Sequence, residues 1–158
     1  MSRFARVVGA VAVSATVILG ATTPLAEAIT DMSVNLTMQT HPVTPNQAFG
    51  TYTAFLPTDS GWGYLYNGGS IRVDCYGDDL FSDDFLFSRT HTISSFQPLT
   101  ADEKGIYLTG RVGGDLGTIW DEDTDTADHR DEVYCRMTWR DGGGGTIQRK
   151  TPVRYGYF

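Results

Sequence analysis

Residues 121–132 read DEDTDTADHRDE, seven carboxylates in twelve positions between the hydrophobic segments LGTIW and VYC. Carboxylates this dense repel one another unless a counter-charge lies among them. A hard cation such as Ca²⁺ takes roughly six to eight oxygens, and alternate acidic residues on a short loop supply them without an organised core. Asp121, Asp123 and Asp125 fall at positions 1, 3 and 5 of the run, Ala127 offers a carbonyl at 7 and Glu132 closes it at 12. These four acidic residues are the candidate metal ligands, and calcium is the candidate cofactor. The competing reading is a solvated face that keeps the chain soluble and discourages edge-to-edge pairing of strands.

Over those twelve residues the spacing resembles an EF-hand calcium loop. It departs from that pattern at Thr126, which stands where glycine makes the sharp turn, and in flanks that read as strands. What remains is an Asp-rich loop between strands. A second acidic cluster, DCYGDDLFSDDF, carries Asp74, Asp78, Asp79, Asp83 and Asp84 just beyond Cys75. It can meet the first cluster only if the strands bearing Cys75 and Cys135 run antiparallel.

Catalytic chemistry has thinner support, and no catalytic residue is assigned. The Asp-Ser-Gly of TDSGWG, residues 58–63, is similar to the nucleophile segment of trypsin-like proteases, which singles out Ser60. A Ser/Gly turn between strands explains it more simply. His91 alternates with Arg89 along one strand face and reads as a surface or hydrogen-bonded histidine. Trp62, Tyr64 and Tyr66 alternate in GWGYLY; on an exposed sheet they form a binding surface for carbohydrate or protein, and turned inward they are core.

The elements that position these residues read as strands. No segment after residue 28 sustains helical periodicity, whereas period-two alternation and turn residues recur about every ten positions. Strands are predicted over 32–40, 48–56, 61–66, 70–76, 85–96 (one or two), 106–112 and 132–139, with a last one in the C-terminal segment. Asn67-Gly68-Gly69 reads as the turn of a hairpin between 61–66 and 70–76. Val73 and Cys75 are expected to face inward, as are Val133, Cys135, Met137 and Trp139. Eight or nine short strands without a repeat predict an all-β, antiparallel sandwich. Two inward cysteines about sixty residues apart are similar in layout to those of immunoglobulin domains, whose disulfide pins one sheet to the other; the Trp and Tyr that accompany them in that family are not at the matching positions.

Residues 1–28 have a basic start, an apolar middle and an Ala26-Glu27-Ala28 end, the three parts of a secretory signal peptide. The mature domain is then 29–158; removal of Arg3, Arg6 and Glu27 leaves 10 basic and 18 acidic residues, a formal charge of −8. That surface disfavours nucleic acid and, once the signal is cleaved, membranes. Cys75 and Cys135 are the only cysteines, and export favours one disulfide between them. The expectation is a secreted, extracellular, monomeric binding or structural module without catalytic function, whose partner is a protein or carbohydrate. A small secreted hydrolase, or an inhibitor presenting a loop to an enzyme, is the alternative.

Overall fold

The computed structural model describes residues 28–40, 47–78, 83–115 and 131–156. They form an antiparallel β-sandwich. The elements in chain order are β1 (Ser33–Thr40), β2 (Gln47–Pro57), α1 (Gly61–Tyr66), β3 (Ser70–Gly77), β4 (Phe85–His91), β5 (Thr100–Ala101), β6 (Gly105–Asp115), β7 (Asp131–Arg140), β8 (Thr146–Lys150) and β9 (Arg154–Gly156). One sheet has the order β1-β2-β6-β5 and the other β4-β3-β7-β8, with β9 also on β7. Every pairing is antiparallel.

Alternation makes these strands half-buried. Leu36, Tyr52, Leu56, Ile106 and Leu108 point inward from the first sheet, and Ile71, Val73, Val133, Met137 and Trp139 from the second. Large side chains of this kind each stabilise the fold by about 1.5–3 kcal/mol when fully buried. Tyr52 lies flat on its cross-strand neighbour Gly110, where a Cβ would sit 2.0 Å from the ring. Glycine at 110 therefore makes the space that the tyrosine fills.

Cys75 and Cys135 form the disulfide, but within one sheet: they face each other directly on β3 and β7, with Cα atoms 4.0 Å apart. This differs from the immunoglobulin layout, in which the disulfide pins one sheet to the other. The backbone N–H and C=O of Cys135 are both engaged by Thr151 on the far side, so they point away from Cys75. In such a non-hydrogen-bonded pair the side chains approach most closely, which suits a disulfide. Thr151-Pro152-Val153 are three residues opposite the two between Val133 and Arg136, a bulge that divides the last strand into β8 and β9.

The segment 61–66 is a helix where a strand was expected. Gly69 N–H reaches Tyr64 C=O (2.9 Å), Gly68 N–H reaches Leu65 C=O (3.2 Å), and Gly68 has φ +90°. That is a Schellman stop, in which a left-handed glycine ends a helix. Asn67-Gly68 therefore terminates α1, and no hairpin joins 61–66 to β3. The aromatic spacing misleads because residues four apart share a face in a strand and in a helix alike. β4 also ends earlier than expected, at His91, where a Thr92/Ser95 turn takes over.

Candidate binding groove

The two sheets are open along one side, between β4 and the part of β6 beyond its short pairing with β5. A groove of about 620 Å³ lies there, walled by Arg89 and His91 on β4, Arg111 and Gly113 on β6, and Phe96 and Gln97 from the connection. That connection is fixed by local hydrogen bonds. Thr92 N–H donates to Ser95 Oγ (2.8 Å), and Leu99, fully buried, donates its N–H to Thr92 C=O (3.0 Å).

Gln97 is thereby laid against the edge of β6. Its amide Nε2 donates to Arg111 C=O (2.9 Å), and its Oε1 accepts from Arg111 N–H (3.0 Å). The side-chain amide thus does what a peptide group of a neighbouring strand would do. Beneath it, His91 is wholly buried, with Nδ1 2.8 Å from Gln97 C=O and Nε2 2.9 Å from the hydroxyl of Tyr52. The carbonyl can only accept, so Nδ1 carries the proton and Nε2 accepts from Tyr52. This bond joins β4 in one sheet to β2 in the other. Burial, reinforced by the positive charge of Arg89, holds the imidazole below its usual proton affinity, despite the opposing contact with Gln97. His91 is therefore a neutral structural group.

The guanidinium groups above it are differently placed. Arg111 lies over the ring of Phe49, 4.6 Å from its centroid, and Arg89 Nη1 is 3.4 Å from Gln97 Oε1 and 3.5 Å from Arg111 C=O. Both are exposed, and among the described side chains no carboxylate lies within ion-pair distance of either. Three of the described acids are engaged elsewhere. Asp74 accepts from Arg72 (2.8 Å) and Ser88 (2.6 Å), and Asp78 accepts from Lys150 (3.1 Å). Asp83 accepts from Tyr134, whose hydroxyl is held well above its usual pKa by burial and then by that carboxylate.

Of the residues singled out as metal ligands, Asp121, Asp123 and Asp125 lie outside the described residues. Glu132 is at the start of β7, where its C=O accepts the N–H of Asp78. β3 and β7 are antiparallel neighbours, so the exit of the first and the entry of the second do lie together. Among the described residues no three acidic, His or Cys side chains form a metal-binding group.

The aromatic trio divides. Trp62 and Tyr66 share the outer face of α1, 44% and 74% exposed, with rings stacked 5.8 Å apart. Tyr64 turns to the other side and meets Trp139 edge-on at 6.3 Å. A shallow pocket of about 320 Å³ beside Trp62 includes Asp59, Ser60 and Glu103. The Ser60 hydroxyl donates to Asp59 (3.0 Å).

The groove was not foreseen. Arg89, Gln97 and Arg111 come from three separate segments, and no local spacing links them. The available signal was two arginines in strands of a chain with a net charge of −7, neither having an acidic residue within three positions.

No family model matches the chain, and no curated protein matches it. Among solved structures it is similar to the crystal structure of the "Putative ApaA Protein from Bordetella pertussis", with 11% identity, a TM-score of 0.40, and coverage of 79% of this chain and 91% of that one. A likeness of that size does not bear on function.

Proposed function

We propose that the protein is a secreted, non-catalytic binding module whose working surface is the groove between β4 and β6, where Arg89 and Arg111 receive an anionic group of the partner. One observation carries this reading: two exposed arginines, with no carboxylate within ion-pair distance among the described side chains, line an open groove of about 620 Å³. In an acidic chain, cations left unneutralised are the scarce resource, and a guanidinium pair matches the fork of a carboxylate or sulfate. Within the groove His91 does not serve as a base in this reading, since its ring nitrogens are both spent inside the fold. The disulfide, and the lack of any helix long and apolar enough to cross a membrane among the described residues, are compatible with export.

The test is a titration of the oxidised full chain with a capped Glu-Glu dipeptide, using Lys-Lys as the control. Binding of the acidic peptide should weaken as salt rises, since exposed charges are screened beyond about 8–10 Å at physiological ionic strength. The double variant Arg89→Ala/Arg111→Ala should lose at least about tenfold in affinity, equal to about 1.4 kcal/mol. Equal binding by the variant and the natural chain would remove the groove from consideration.

A further inference from the structure

Resting on the reading of the groove as an anion-receiving surface, we propose that its ligand is an extended acidic peptide segment that adds as a strand to the open edge of β6. The edge is already half-occupied by its own chain. β5 pairs with Ile106 and Tyr107, and Gln97 then supplies one further donor and acceptor to Arg111. Among the described residues the line stops there.

Two residues on, the edge continues. In an antiparallel ladder successive residues turn their peptide groups to opposite sides, so Gly113 presents its N–H and C=O in the same direction as Arg111. β2 lies on the other side, and no described residue pairs with this outer side of Gly113. Gly113 is exposed, and a Cβ there would meet the ring of Phe49 at 2.2 Å. The position is therefore held as glycine, and Gly113 brings no side chain of its own to obstruct an approaching backbone. An incoming strand, rising about 3.3 Å per residue, would pair at Gly113 and pass the guanidinium groups within one or two residues. Backbone pairing would give affinity, and acidic side chains meeting Arg89 and Arg111 would give selectivity. Phe96, 98% exposed at the mouth of the groove, offers an apolar contact to an alternate side chain. Charge complementarity favours an acidic peptide over a neutral one, and an edge with no partner among the described residues favours a peptide over an inorganic anion or a sulfated sugar.

The experiment compares four probes on the oxidised full chain: a capped, labelled hexapeptide alternating Glu and Val, the same peptide N-methylated at alternate amides in each of the two registers, and a sulfated disaccharide. Anisotropy reports affinity, and amide exchange reports protection at Gly113. The expected result is binding of the unmodified peptide, a loss of at least tenfold in one N-methyl register, slowed exchange at Gly113, and a loss of at least tenfold in Arg89→Ala/Arg111→Ala. Equal binding by all three peptides, or tight binding of the disaccharide with none of the peptide, overturns strand addition and leaves the anionic groove standing. Failure of every probe to sense the two arginines overturns both readings.

Discussion

The sandwich has two long sides, and they treat their strand edges differently. At one side β1 lies beside β9, and Arg154 closes the gap: Nε donates to Leu36 C=O (2.5 Å) and Nη2 to Asn35 Oδ1 (2.8 Å). At the other side the edge of β6 is met by a neutral amide, Gln97, and the nearby Arg89 and Arg111 keep their charged heads exposed. An exposed sheet edge invites unwanted pairing and is usually blocked or covered. One side spends its arginine on that task, and the other assigns most of it to glutamine, with one long contact from Arg89 Nη1 to Arg111 C=O (3.5 Å). Arg154 is held by two short bonds to β1, whereas Arg89 makes only long contacts at 3.4 and 3.5 Å and stays exposed beside the groove.

This contrast can be broken at the open side most severely by Gly110→Val. The new side chain would drive Tyr52 from its place, detach it from His91 and cost about 3 kcal/mol, read from urea unfolding. A milder lesion there is Tyr52→Phe, which leaves the buried Nε2 of His91 without a donor. Its expected cost is about 1–3 kcal/mol, and an unchanged urea midpoint would mean that the inter-sheet bond contributes nothing.

The same contact makes the open side sensitive to acid. Because His91 has a lowered proton affinity when folded, the unfolded chain takes up that proton first. The stabilising contribution is intact above the ordinary imidazole value of 6.5 and is lost as the pH falls below it. Urea midpoints measured between pH 7.5 and 5 should decline more steeply in the natural chain than in His91→Leu, whatever the absolute stability of the variant.

On the closed side, Arg154→Ala should cost about 1 kcal/mol and leave peptide binding at the groove unchanged. Arg89→Ala and Arg111→Ala should be the smallest in stability, each within about 0.5 kcal/mol, while abolishing most of the acidic-peptide affinity. If the arginine at the closed side and those at the groove had equal effects on folding, the distinction between them would fail.

Much of the framework is legible in the sequence because one face of each strand is buried. The alternation over 32–40, 70–76 and 132–139 identifies β1, β3 and β7 and places Cys75 and Cys135 inward. Their pairing follows from there being two cysteines, but their position within one sheet depends on strand order, which no local pattern carries. Gly68 signals a left-handed backbone correctly; the same conformation serves a hairpin or a helix stop, and the packing of Tyr64 on Trp139 accompanies the second. The candidate site is the least legible part. His91 reads locally as a surface or hydrogen-bonded residue and is the second, buried between the sheets, yet the use of Gln97 as a substitute peptide group arises only after the chain has folded back over β6.

Cys75 and Cys135, sixty positions apart, make the intervening chain a closed covalent ring. A single peptide-bond cut anywhere inside that ring gives two fragments that remain one molecule, tied across the middle of the sheet. The nick would be invisible on a non-reducing gel and would separate the pieces only after reductant is added. A protein built this way can survive proteolytic damage between those cysteines without losing either half.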